Sequence, residues 1–335
     1  MERRQFLQRV SVASVVTTTT AVAGCSGDGG DGGGSTSGER AGYADYVVAD
    51  WVDEGASALS VDLDLIRESE DTPTPTPAAE TEDAPDDFLI SFPVISLIGV
   101  AFALGGGYQR IGLGSVMEAD GPGEEAHLVP GGIAVEGSFD PSAIGDSVEG
   151  AGGTETGTYG DHTLYEAENG TVVGVSENLL VSARADEDDA SLGTPTERVE
   201  TLVDAAGGDV ARYGDDEADY GTLVSALPSA QLTASNYTPE GGLLDSGTPS
   251  SEDGESSMGA SPEDLDLDGD VKGIATSADI DEETGDGTAR LALQYTSADE
   301  VDDESAIEDA VAPNGQDVSV SVDGPVAVVE GTYSN

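Results

Sequence analysis

The chain has 335 residues, with 68 acidic side chains against 11 basic ones and a formal net charge of -57. Nothing in it could form the basic patch needed to neutralise phosphates, so nucleic acid is excluded as a partner. A single cysteine, Cys25, excludes an internal disulfide framework and any cysteine-based metal site.

Met1 to Gly24 reads as an export signal. Arg3-Arg4-Gln5-Phe6-Leu7 has the paired arginine, spacer and two apolar residues of a twin-arginine motif. It departs from the usual pattern at Glu2, before the pair, and at Gln8, where a lysine is common. The stretch that follows, Val10 to Ala23, is too short and too polar for a membrane-spanning helix. Val22-Ala23-Gly24-Cys25 places small residues just before the cysteine, as a lipobox requires so that the thiol can be alkylated. The expectation is a protein exported folded and held by lipid on Cys25 at the outer, extracellular face of the cytoplasmic membrane. Each buried methylene of such a lipid contributes roughly 0.8 kcal/mol of anchoring. Residues 25–42, rich in Gly, Ser and Asp, form a flexible tether.

A main domain is expected over 43–240. Leu59, Val61, Leu63 and Leu65 alternate with Ser60, Asp62 and Asp64, the period of a half-buried strand. Residues 69–87 carry a Thr-Pro repeat among acids and read as a solvated insertion. Phe88 to Leu104 contains no charge, but its length lies at the low edge for a span and Pro93 and Gly99 weaken it further. A single crossing would also return the carboxyl-terminal bulk to the cytoplasm. A core helix, or one lying against membrane or partner, is therefore expected.

Ile133 to Phe139 reads as a strand, and Asp140-Pro141 can start a short helix carrying Ile144 and Val148. Asn169-Gly170 between two strand-like runs predicts a type I′ hairpin, and Leu179 to Ala183 a further strand. Thr194 and Glu197 form a capping box with Pro195 at the first helical position. Val199, Leu202, Val203 and Ala206 supply the apolar stripe, and Gly207-Gly208 the stop. A helix near Asp216 to Leu227 and a strand over Gln231 to Tyr237 follow.

Residues 241–263 are a Ser/Gly/acid-rich linker, expected to be disordered. Beyond it, 264–335 forms a second small unit: two strands, a helix over Asp303 to Val311, and a hairpin across Asp323-Gly324. The fold class expected is α+β, an antiparallel sheet with helices on one face. The strand-helix order suggests a ferredoxin-like unit, with the terminal block a divergent second one.

Chemistry is sparse. His127 is placed in a loop and His162 at the start of a strand, neither inside a catalytic motif, and both read as ordinary surface or edge residues. No nucleophile elbow, H-E-x-x-H or phosphate loop occurs. Asp264, Asp266, Asp268 and Gly269 imitate the start of a calcium loop, but its twelfth position is Ala275, not a bidentate acid. No cofactor, metal or catalytic residue is therefore assigned. Asn169 and Asn236 head glycosylation sequons, Asn169-Gly170-Thr171 and Asn236-Tyr237-Thr238.

An acidic excess spread along the whole chain resembles halophilic archaeal proteins, in which molar salt shortens the Debye length to roughly 3 Å and screens self-repulsion. The run from Ile133 into Asp140-Pro141, the Tyr159-Gly160 to Tyr165 stretch and Leu227-Pro228 are similar to an uncharacterised family of haloarchaeal lipoproteins. That resemblance covers about half the mature chain and implies no activity. The expectation is a non-enzymatic module that binds or organises an extracellular protein or ligand. The alternatives are a solute-binding lipoprotein of a transporter and a carboxylate-dependent extracellular enzyme.

Overall fold

The computed structural model describes residues 42–52, 55–70, 88–89, 107–116, 121–185, 190–244, 265–280, 286–313 and 315–333. The export motif (Arg3, Arg4, Phe6, Leu7), Cys25, most of the apolar run and the linker expected over 241–263 lie largely or wholly outside them.

Twelve strands are described: β1 (Ala56–Asp62), β2 (Gly123–Val129), β3 (Gly132–Gly137), β4 (Thr154–Tyr159), β5 (His162–Glu166), β6 (Val172–Val175), β7 (Leu179–Ala183), β8 (Leu232–Tyr237), β9 (Val271–Ile280), β10 (Gly287–Tyr295), β11 (Gln316–Asp323) and β12 (Val326–Tyr333). They form one sheet in the order β11-β12-β10-β9-β8-β1-β2-β3-β7-β6-β5-β4, every neighbouring pair antiparallel. The α+β class and the antiparallel sheet are as expected.

Three finer expectations are corrected. First, the ferredoxin-like arrangement is absent, because that unit interleaves its strands whereas β3 lies simply between β2 and β7. Second, the two expected units share one sheet: β8 and β9, on either side of the linker, run paired from Leu232↔Ala278 to Tyr237↔Gly273. Third, helices cover both faces. Neighbouring residues of a strand point to opposite sides, and both Ala134 and Val135, like both Leu180 and Val181, are fully buried. Such strands need cover twice.

On one face, α3 (Pro195–Gly207), α4 (Tyr213–Asp216) and α5 (Ala218–Ser225) pack Val199, Leu202, Tyr213, Tyr220 and Leu223 onto Ala58, Ala134, Val181 and Ala275. On the other, α1 (Leu63–Glu70) and α2 (Pro141–Gly150) pack Leu63, Ile66, Ile144 and Val148 onto Val61, Val135 and Leu180. Farther along that face, α6 (Glu304–Val311) sets Ile307 and Val311 against Ile274, Leu291 and Val329. Phe88 and Leu89 are buried in this last cluster, whereas Tyr108, Ile111 and Leu113 join the cluster beside it.

Local chemistry explains the element ends. Asp140 accepts from the N–H groups of Ser142 (3.0 Å) and Ala143 (3.2 Å) at the start of α2. Thr194 and Glu197 form the reciprocal capping box of α3, closed at its other end by left-handed Gly208. The strand expected through Leu65 ends at Asp62, whose Oδ1 accepts from the Asp64 N–H at 2.9 Å. Leu63 and Ile66 then bury their side chains at helical spacing. At Asn169-Gly170 only Gly170 has positive φ (77°); Gly170 N–H donates to Ala167 O and Ala167 N–H to Thr171 O. This is a longer loop with a left-handed glycine in place of the type I′ turn, which needs two such residues. In the last hairpin Asp323 pairs with Val326, so the turn residues are Gly324 and Pro325, one position later than expected.

Candidate functional site

Two places on the helix-bearing α3–α5 face have chemistry worth building up: the middle of the sheet, where residues 42–52 pack over it, and the groove beside its β11 edge.

The first centres on His127. It lies in β2, not in a loop, and is fully buried. Sequence reasoning missed β2 because its acids, Glu124 and Glu125, sit where a clean alternation would place one polar residue. Pairing brings Ser60 of β1 opposite His127, and the Ser60 hydroxyl and His127 Nδ1 share a hydrogen bond of 2.5 Å. Glu136 of β3 approaches Nε2 at 3.4 Å, and Glu125 approaches Nδ1 at 3.8 Å. The 3.4 Å separation is long for a hydrogen bond, so that contact is chiefly electrostatic. Beside these groups, Tyr46 stacks on the imidazole with ring centroids 4.8 Å apart and donates its hydroxyl to Glu136 at 2.9 Å. The His127 ring beside Glu136 holds that carboxyl below its ordinary range, with the Tyr46 bond helping and burial opposing. Burial, reinforced by Glu136, pushes the Tyr46 hydroxyl well up.

Serine, histidine and glutamate in this contact order resemble a nucleophile, its base and an orienting acid. The surroundings argue for a structural role. Ser60 is 1% exposed and His127 0%, and the turn Gly42–Asp45 closes over them. A Cβ at Gly42 would stand 2.9 Å from both Glu125 Oε1 and His127 Cε1, so a larger residue there would have to displace the Glu125 carboxylate and the buried imidazole. No substrate carbonyl can approach Ser60 while this turn is seated.

The same turn is tied from behind. Tyr213 N–H donates to Val47 O (2.7 Å) and Ala49 N–H to Ala211 O (3.0 Å), while Arg212 pairs with Asp45 at 2.9 Å. Tyr43, Tyr46 and Val47 are buried. Residues 42–52 thus form a latch fastened onto β1, β2 and α4.

The second place is a groove of about 710 Å³ between α4–α5 and the β11–β12 hairpin. Gly214, Ala218, Gly221 and Ser225 line one wall, and Ser321, Val322, Asp323 and Val328 the other. Among the described residues one large apolar side chain is exposed, Val322 at 40%, and it lies here.

The remaining sequence candidates are dispersed. His162 is buried in β5 with Asp161 at 3.0 Å from its Nδ1; burial lowers its pKa against the pull of that acid. Asn169 is exposed in its turn and accepts from the Thr171 N–H at 3.1 Å, but Thr171 itself is buried. Asn236 sits inside β8 between β1 and β9. In the calcium-like stretch the Asp268 and Gly269 N–H groups donate to Asp302 (3.2 and 3.1 Å), so the backbone there offers donors where a cation would need oxygens. Among the described residues no group of three or more His, Cys, Asp or Glu side chains could hold a metal ion, and no helix is long and apolar enough to cross a membrane.

No protein-family model matches the chain, and no curated protein matches it. Two solved structures of TP0453 are similar to it at 12% identity: crystal form I, with a TM-score of 0.42 over 86% of this chain and 92% of that one, and crystal form IV, with a TM-score of 0.40 over 88% and 95%.

Proposed function

We propose that this protein is a lipid-anchored, cell-surface binding module, attached through Cys25 and presenting the groove beside β11 to an extracellular partner. The observation that carries this is the division of labour along the sheet. The latch over β1 and β2 is sealed, whereas the groove beside β11 is open, and the two are joined by one helix: Tyr213 of α4 is tied to the latch while Gly214 and Asp215 line the groove. The groove's walls are small, neutral residues and two acids, Asp215 and Asp323. Such walls can recognise a ligand but hold no base or nucleophile matched to a reaction.

Of the apolar run Phe88 and Leu89 are described, and they and Tyr108, beyond it, are buried on the α1–α2–α6 face of one sheet. A single crossing of the bilayer between Leu89 and Tyr108 would set those two residues on opposite sides of a hydrocarbon core about 30 Å thick, which supports a run that does not span it.

Membrane fractionation in molar salt, comparing wild type with Cys25→Ser and adding external protease, tests the proposal. Release of the variant into the medium, with the carboxyl-terminal block of the wild type open to protease, is the expected result. Retention of the variant with that block protected would refute it. The groove's volume also suits a small solute, which makes a transporter's solute-binding lipoprotein the second reading; a rise in Tm with a small solute but no protein partner would favour it.

A further inference from the structure

We infer that the latch sets the shape of the groove. α4 is a short lever, seated by the latch on one side and walling the groove on the other, so releasing the latch moves that wall. This rests on the proposed binding role of the groove and names its regulation. α4 has four residues and one buried side chain, Tyr213. A helix that short cannot hold its own shape in water, so its neighbours set its place. From the latch, Val47 O accepts from the Tyr213 N–H and the Ala49 N–H donates to Ala211 O. Val48 bridges to Arg212, and Asp45 pairs with the Arg212 guanidinium. From the other side comes α5. The Tyr213 and Tyr220 rings lie 5.1 Å apart, and a Cβ on Gly221 would collide with the Gly214 carbonyl oxygen, so the two helices meet backbone against backbone. Gly214 and Asp215, next in the same turn, line the groove.

The neighbours of α4 differ in how firmly they are held. α5 is fixed to the sheet on its own account: Leu223 and Val224 are buried, Tyr220 and Ser235 of β8 share a hydrogen bond of 3.2 Å, and Lys272 of β9 pairs with Asp219 at 2.7 Å. The latch covers an incomplete set of partners. His127 Nε2 is buried with no hydrogen-bond partner among the described residues. Lifting the turn Gly42–Asp45 would give it water, which lowers the cost of release. The Arg212–Asp45 pair is partly exposed, where ion pairs contribute little. A movement at the latch therefore passes to α4, and through Gly214 and Asp215 to the groove, while α5 stays on the sheet. Such coupling is reciprocal, so a change at the Gly214–Gly221 contact reaches the latch by the same route.

Two readouts test this in molar salt. Trp51, the single tryptophan of the chain, lies in the latch against Gly131, so its emission reports whether the latch is seated. Groove shape is read by electron paramagnetic resonance on the full chain carrying Cys25→Ser. One nitroxide pair, at Asp216→Cys and Ser321→Cys, spans α4 to β11; the other, at Thr222→Cys and Ser321→Cys, spans α5 to β11, and all three positions are exposed. The releasing variants are Gly42→Val, which crowds the buried imidazole, and Asp45→Arg, which opposes Arg212 and leaves the core untouched. Each is expected to red-shift Trp51 emission and to change the α4–β11 distance by several Å, with the α5–β11 distance as in wild type. Conversely Gly221→Ala, outside the latch, should red-shift Trp51. A released latch with an unchanged α4–β11 distance overturns the inference, as does wild-type emission in Gly221→Ala or in both releasing variants. Both distances changing together overturns the lever too, because α5 then moves with the latch. Neither ligand nor membrane enters the measurement, so the anchored role stands or falls separately, on the fractionation.

Discussion

The latch over β1–β2 and the hairpin at the β11 edge use similar residues to opposite ends. Both set serine, valine and acids on neighbouring strands. In the latch Ser60 and His127 are withdrawn from water and bonded to each other, under a turn whose Gly42 packs closely on the imidazole. At the edge Ser319, Ser321 and Asp323 are exposed. A buried polar group that loses its partner carries the full cost of desolvation, whereas an exposed one is re-solvated by water. The comparison teaches that the middle of this sheet is constrained by folding, while its exposed edge tolerates polar substitution at little cost to stability.

Four measurements would break or sharpen that contrast, all in molar salt. The largest effect is expected at Tyr43→Ala, a large side chain 1% exposed in the cluster under the latch. Truncation should cost about 3–5 kcal/mol, as for other large aromatic core residues, read as a fall in denaturant midpoint. A loss below about 1 kcal/mol would show that the latch is not part of the cooperative core. Ser60→Ala should cost about 1–3 kcal/mol, because it leaves a buried imidazole nitrogen unpaired. A neutral result there would mean that His127 finds another partner.

The third is pH dependence. Glu136 has its carboxyl lowered by the adjacent His127 ring, so its contribution to stability is present above the ordinary carboxylate range and is lost as pH falls through the lower folded value. Glu136→Gln should flatten the acid limb of the stability profile; an unchanged limb would assign acid sensitivity to other carboxylates. The smallest effect belongs to the edge: Val322→Ser, at an exposed position, should stay within about 0.5 kcal/mol of wild type. A larger loss would mean that the hairpin is held by packing as firmly as the latch, and the contrast would fail.

Much of the local structure was legible because its causes are local. Asp140-Pro141 and the Thr194–Glu197 box announce helices through side chains that satisfy the first free N–H groups within a turn, and both helices begin where those residues stand. His127 was not legible. Its burial depends on β2 pairing with β1 and β3 and on a turn more than eighty residues upstream closing over it, and no period in Glu124-Glu125-Ala126-His127 signals either event. The hairpin at Asn169-Gly170 was half legible. Glycine marks the left-handed position, but the choice between turn types lay with the strand register on either side.

Sequence alone determines the acidic character of this protein, the caps that start its helices and its α+β class. Each follows from composition or from contacts within a few residues. Tertiary structure decided that the two expected units share one sheet, that helices cover both its faces, that Ser60, His127 and Glu136 meet, and that β11 is left at an edge. Those outcomes depend on which strands pair across the long gap between β8 and β9. Pairing of that kind is set by burying apolar side chains on two faces at once, a condition the whole chain satisfies together.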